Sequence, residues 1–445
     1  MTRSRLFTFR SLASALVALA TLASADPSLD SLKAKVDGLS KTKVSGFLQA
    51  RYEYGFDTSV IDPKATQLQG RFDIKRGRII VSNDGSLGDF LIQAQYGEGG
   101  IQLIDAYASA YDPWKAARLR IGSQVLPFGY EVGSWGSSSM ELLERSLFEQ
   151  SVFTGEHDLG GVVSLNCKAG FLQYVDAKVG VFSGNMSVVG IPVLGSSANG
   201  LSQTDFDDGK AFAGRLGFVA PIAAAGVNLT GGVSGYYDVL TSEQDSVIDF
   251  AGQLSNTNAA THVSKGNFRN DLHKQILGAD LQATAKLVPV GSTTLRGEVY
   301  GGTNVGLKSG AVFDPYSSSL PSSAAATVST NKAYVRDALG WNAVLIQNIS
   351  DFQLAGRFEQ FDPNTDVSGS HVGVLSNTTY ADLAWSQLSA AATYNLSANV
   401  KFTLEYDHKM NETAGVKSPS GAPDGRNYTT DVDNDKGTFQ LQYKF

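Results

Sequence analysis

The sequence contains one cysteine, Cys167, in 445 residues, so no internal disulfide can staple it. Beyond the first 25 residues it has no apolar run near the roughly 20 residues that a membrane helix requires, and its mean hydropathy is −0.09. Basic charge is in deficit: 36 lysines and arginines stand against 43 acids, a net charge of −7, which does not suggest a nucleic-acid binder. Histidine is scarce. The five, His157, His262, His273, His371 and His408, form no H-x-x-x-H pair, and no phosphate-loop glycine signature occurs. DVDNDKG, residues 431–437, spaces Asp431, Asp433 and Asp435 as a calcium loop would, but its glycine comes one place late and no distal glutamate follows. No nucleophile and base are nominated, so neither an enzyme nor a cofactor is expected.

What is present starts with MTRSRLFTFR, three arginines, followed by the short apolar stretch SLASALVALATLA and then Ala23-Ser24-Ala25 before Asp26. A charged start, an apolar centre and a small-residue cleavage site predict a secretory signal over residues 1–25. The alternative, an anchoring helix, is short for a bilayer. Removing three arginines and no acid takes the net charge from −7 to about −10. Residues 26–43 include LDSLKAKVDGLSK, which places Leu29, Leu32, Val36 and Leu39 at heptad positions. An amphipathic linker fits that stretch equally well.

From residue 44 onward the dominant signal is period two. Leu48, Ala50, Tyr52 and Tyr54 alternate with Gln49, Arg51 and Glu53; Phe352, Leu354 and Phe358 oppose Gln353, Arg357 and Glu359; Phe402, Leu404 and Tyr406 oppose Thr403, Glu405 and Asp407. Such alternation, repeated along an exported chain, predicts strands that are apolar toward lipid and polar toward a lumen. Lipid cannot satisfy a sheet edge, so the strands must close. A secreted β-sandwich is the soluble alternative. Tight links such as SNDGSLGD, YDPWKAA, LVPVGST and QNISD alternate with long polar loops near residues 55–70, 184–208, 238–270, 305–333, 362–380 and 411–433. The expected fold is therefore all-β: a transmembrane antiparallel β-barrel of about sixteen strands over residues 44–445, set in outer-membrane lipid, with the short turns periplasmic. The sequence ends on TFQLQYKF, in which Phe439, Leu441, Tyr443 and Phe445 alternate with Thr438, Gln440, Gln442 and Lys444. It reads as a last strand, and its Phe445 resembles the signal that barrel-assembly machinery recognises.

A ninety-residue stretch, Phe72 to Gly161, carries more than periodicity. FDIKRGRIIV, GDFLIQAQY, LIDAYASAYDPWKAARLRIGSQVLPFGYE, MELLERSLFEQSVF and HDLGG follow one another. This order resembles the phosphate-selective porin O and P family. The matching residues are Arg76 and Arg78; Arg120, Gly122, Pro127, Phe128, Gly129 and Glu131; and Glu144, Arg145 and Ser146. The resemblance implies a homotrimer of sixteen-stranded channels whose third outer loop, here about residues 132–157, folds into the pore. Ser137-Ser138-Ser139 can cap a helix there, with Met140, Leu143 and Leu147 at helical spacing. Phosphate-selective members carry lysines near the Pro-Phe-Gly segment, whereas this sequence has Gln124, Val125 and Leu126.

The expected solute path comprises Arg51, Lys75, Arg76, Arg78, Arg118, Arg120 and Arg215 on the wall and Glu131, Glu141, Glu144 and Arg145 on the loop. In FDIKRGRIIV the alternation slips near Arg76, which predicts a bulge turning Lys75, Arg76 and Arg78 inward. Opposed charges at a constriction predict weak anion selectivity rather than tight phosphate binding. A sugar or general-solute channel is the alternative, with Tyr107, Trp114, Trp135 and Tyr174 available to stack on sugar rings. An envelope-tethering protein, using residues 26–43, is the alternative of another class.

Overall fold

The computed structural model describes residues 41–445, apart from 56–69, 98–99, 154–155, 166, 168–169, 185–188, 191–208, 223–225, 243–245, 251–259, 264–269, 289–290, 307, 311–332 and 423–425. The expected signal peptide and most of the heptad segment lie outside the described residues. Residues 44–445 form one compact unit.

The first half comprises β1 (Thr42–Gly55), β2 (Gly70–Asp84), β3 (Gly88–Gly97), β4 (Gly100–Tyr111), β5 (Ala117–Val125), β6 (His157–Leu165), β7 (Val175–Phe182), β8 (Val189–Gly190), β9 (Ala211–Ile222) and β10 (Val227–Ser242). The second half comprises β11 (Ser246–Asp249), β12 (Ala260–Val263), β13 (Asn270–Val288), β14 (Gly291–Gly306), β15 (Ala333–Ile349), β16 (Phe352–Asp362), β17 (Trp385–Asn395), β18 (Val400–Asn411) and β19 (Lys436–Lys444). The short β8, β11 and β12 are additions among the long loops, and the other sixteen form the barrel. It closes where β19 pairs antiparallel with β1, from Phe47 opposite Lys444 to Gly55 opposite Lys436. Each barrel strand thus has a hydrogen-bonded neighbour on both sides, leaving no open sheet edge to lipid.

The period-two pattern sets the two faces. On β19, Phe439, Leu441 and Tyr443 are exposed on the outside, while Thr438, Gln440 and Gln442 are buried inside. The same division runs through β16 and β18, where Leu354 and Leu404 face out and Arg357 and Glu405 are buried. On β2 the phase slips as expected: Phe72, Ile74 and Ile79 are exposed, yet the adjacent Lys75 and Arg76 both reach the same inward carboxylate. A register shift is also found between β3 and β4, at Gln93–Ala94 opposite Asp105 and Leu103. It leaves Ile104 as the extra residue, and that side chain is buried.

The inner face is not polar all round. Tyr236, Ile276, Tyr300, Ala338 and Phe361, from β10 and β13–β16, form an apolar cluster inside the barrel with Phe128, Phe148 and Phe153. The last three lie on the chain between β5 and β6. Phe148 stacks on Tyr300 at 4.6 Å and meets Phe361 edge-on at 5.7 Å. Gly340 makes this possible, because a Cβ there would sit 2.7 Å from the Phe148 ring.

Candidate pore constriction

The segment 126–156 leaves β5, turns into the barrel and returns to β6. Its backbone is held by inward side chains of the wall. The carbonyl of Ser137 accepts from Gln49 Nε2 at 3.0 Å, that of Ser138 from Gln442 Nε2 at 3.1 Å, and that of Met140 from Lys401 Nζ at 3.1 Å. Farther along, the Leu143, Glu144 and Val152 carbonyls accept from Arg51, Arg357 and Lys274 at 2.9, 2.9 and 2.6 Å. Wall carboxylates take the opposite role. Tyr130 N–H donates to Glu298 at 2.6 Å, Leu143 N–H to Glu405 at 2.7 Å and Leu147 N–H to Glu359 at 2.7 Å.

These bonds change the expected helix. The only α-helix among the described residues is α1 (Leu147–Val152), capped by Ser146, whose Oγ accepts from Glu149 N–H at 3.5 Å. Residues 137–146 are not helical, although Met140, Leu143 and Leu147 have helical spacing. The carbonyls and amides that would pair within such a helix are already paired with side chains, which satisfies the same backbone requirement by another route.

The eleven expected path residues separate into groups. Arg51 is buried and paired with Glu144 at 2.5 Å. Lys75 reaches the same carboxylate at 2.9 Å and Arg76 at 3.8 Å. Glu144 therefore brings together three of the wall cations. Burial alone would push its carboxyl up, but Arg51, Lys75 and Arg76 hold it well below the usual range. Glu131 is wholly buried and accepts from Ser146 N–H at 2.8 Å. Arg145 is buried between Glu149, at 3.2 Å, and Glu156, at 2.6 Å. Glu141 reaches Arg296 at 3.3 Å. Arg215 lies apart, forked onto Asp280 at 2.5 and 2.7 Å.

Arg78, on β2, and Arg118 and Arg120, on β5, form the remaining group. Arg118 bonds Asp89 at 2.6 Å, and the Tyr111 hydroxyl donates to the same carboxylate. Arg78 donates to the neutral Gln95 at 2.7 Å, and Arg120 lies 4.1 Å over the Tyr107 ring. Among the described residues neither Arg78 nor Arg120 has a carboxylate within salt-bridge distance. A cavity of about 570 Å3 is bordered by Arg118, Arg120, Gln124, Pro127 and Lys178, so wall cations and the descending loop share one opening. The sequence missed the loop anchors Gln49, Lys274, Lys401, Glu405 and Gln442. Their inward polar positions were legible; the partner of each was not.

No family model matches the sequence, and no curated protein matches it. Solved structures do match. The anion-selective porin from Comamonas acidovorans aligns over 91% of this chain and 99% of its own, at 9% identity and a TM-score of 0.52. OprB of Pseudomonas putida aligns over 93% and 96%, at 12% identity and a TM-score of 0.58. The fold is that of the bacterial outer-membrane porins. At such identities the likeness is one of architecture. A porin fold with a lipid-compatible belt places the chain in a bacterial outer membrane, and its long-loop side is the side from which the segment 126–156 enters.

Proposed function

We propose that the protein is a passive outer-membrane channel for small hydrophilic solutes, with a weak preference for anions. The observation that carries this reading is the difference in partnering at the constriction. The loop acids Glu141 and Glu144 are occupied by wall cations, while, among the described residues, the guanidinium groups of Arg78 and Arg120 have no carboxylate within salt-bridge distance. A carboxylate, chloride or phosphate passing there meets N–H donors and net positive charge within a few ångströms, inside the ~8–10 Å over which charge is felt at physiological salt. The net acidity of the whole chain matters less, since exposed outer-loop residues such as Asp431 and Asp433 are screened from the constriction.

Two of the four aromatics that could stack on sugar rings are covered. Arg120 covers Tyr107, and Trp135 is buried with Arg296 4.6 Å over its ring. The motif resemblance at Pro127-Phe128-Gly129 and Glu144-Arg145-Ser146 supports kinship with the phosphate-selective porins, and the Comamonas structure with this fold is described as anion-selective. Neutral Gln124, Val125 and Leu126 favour weak over strict selectivity. A homotrimer and delivery by the barrel-assembly machinery through Phe445 belong to the same reading.

The test is the reversal potential of the purified protein in a planar bilayer under a KCl gradient. Weak anion selectivity that moves toward cations in Arg78→Ala/Arg120→Ala is the expected result. A cation-selective channel indifferent to that double substitution overturns the reading, and absence of stepwise conductance removes the channel altogether.

A further inference from the structure

We propose that Glu144 is a built-in competing anion: its carboxylate occupies a three-cation site, formed by Arg51, Lys75 and Arg76, that would otherwise hold a tetrahedral oxyanion such as inorganic phosphate. The inference rests on the anion-path reading and deepens it, by naming the residue that keeps the path permissive.

The geometry has two parts. First, three cations from two adjacent strands converge on one carboxylate. Arg51 Nη1 and Lys75 Nζ approach Oε1 at 2.5 and 2.9 Å, and Arg76 Nη2 approaches Oε2 at 3.8 Å. Several N–H donors meeting on one pair of oxygens are what a phosphate requires, and charge-assisted bonds of this kind are the strong ones. The cluster is not closed off, because Lys75 and Glu144 keep part of their side chains exposed.

Second, the carboxylate is not what holds the loop. The Glu144 carbonyl is fixed by Arg357, Leu143 N–H by Glu405, Ser146 N–H by Glu131 and Leu147 N–H by Glu359. The cations are also kept in place without it. Arg51 donates to Gln440 Oε1 at 2.6 Å and to the Leu143 carbonyl at 2.9 Å, and Arg76 donates to Gln49 Oε1 at 3.3 Å. Among the described residues, Glu53, 3.9 Å from Arg51, is the only other carboxylate within salt-bridge distance of the three. Removing the Glu144 charge therefore leaves a preformed site with most of its positive charge uncompensated. A loop carboxylate at high local concentration outcompetes a free anion for the same donors, so the unmodified channel passes anions without trapping them.

The test uses the full-length protein and its Glu144→Ala, Glu144→Gln and Asp433→Ala variants. Phosphate binding is measured by calorimetry in detergent, and phosphate block of chloride current in planar bilayers. Glu144→Ala should bind phosphate at least about tenfold more tightly than the unmodified protein, equivalent to roughly 1.4 kcal/mol, and should be blocked at correspondingly lower phosphate. Glu144→Gln, which keeps the shape and loses the charge, should gain less, and Asp433→Ala should gain nothing. Adding Lys75→Ala to Glu144→Ala should abolish the gain. Unchanged phosphate affinity in both Glu144 variants overturns the proposal. So does a jump in single-channel conductance without tighter phosphate binding, which would show that the carboxylate holds the loop. Calorimetry needs no current, so a gain in binding by a protein that does not conduct would support the site while refuting the channel.

Discussion

The two sides of the barrel wall use the same kinds of residue to different ends. On the side of β13–β19, Lys274, Arg296, Arg357, Glu298, Glu359 and Glu405 point inward and are buried, and most of them clasp the backbone or acids of the segment 126–156. On the side of β2–β5, Arg78, Arg118 and Arg120 rest instead on Gln95, Asp89 and Tyr107, and Arg118 and Arg120 border a cavity. The first wall is a mould for the loop; on the second, Lys75 and Arg76 reach Glu144 of the loop, and the other three cations rest on the wall itself. An inward charge thus belongs to the path or to the scaffold according to its partner, and the strand pattern is the same in both cases.

That contrast is most sharply broken on the mould side. Arg357→Ala leaves Glu359, now 3.0 Å from its guanidinium, and Glu131, at 3.9 Å, without their shared cation, and loss of one partner of a buried pair costs about 3–5 kcal/mol. Phe148→Ala removes the ring stacked on Tyr300 at a similar cost of about 3–5 kcal/mol. Both variants should lose loop order, read as protease sensitivity within residues 126–156 and raised conductance. Arg78→Ala should leave that sensitivity unchanged and alter only selectivity; equal loop release from Arg78→Ala and Arg357→Ala would erase the distinction between the walls.

A smaller effect tests the inside and outside of one strand. Leu441 is exposed on the lipid face of β19, and Leu441→Arg there should cost roughly 2–4 kcal/mol near midplane, lowering the yield of heat-modifiable barrel. Gln442→Arg faces inward and spares the barrel, but it loses the bonds to Gln49 and to the Ser138 carbonyl, so its effect should appear in conductance. Identical folding yields for the two would contradict the register.

The smallest expected effect is on pH dependence. Glu144 has a lowered carboxyl pKa in the face of Arg51, Lys75 and Arg76, so the attraction it supplies is present above the ordinary carboxylate range and is lost only as pH falls through its depressed value. Block by sulfate, a tetrahedral oxyanion whose charge does not change over this range, should therefore be the same at pH 7 and pH 5. Tightening of the block at pH 5 would show Glu144 taking up a proton too early.

Much of this was legible in the residues. The alternation in TFQLQYKF and in the other strands assigned each side chain to lipid or lumen, and the slip beside Arg76 was visible as two adjacent polar residues between apolar ones. The helix was misplaced because Met140, Leu143 and Leu147 keep helical spacing while Lys401, Arg51, Glu405 and Glu359 compete for the same backbone groups. Tyr107 and Trp135 looked like sugar platforms, yet arginines from other strands cover them.

By itself the sequence determined the barrel, its approximate strand number and the lipid and lumen faces, because these follow from local periodicity and from the demand that lipid makes on every backbone group. Only the tertiary structure decided which inward charges are engaged and which stay open, where the short helix lies, and that Glu144 sits among three cations. Those depend on contacts between residues tens to hundreds of positions apart, such as Arg51 with Glu144 or Leu143 with Glu405, and a period of two carries no information about which distant partner a side chain will meet.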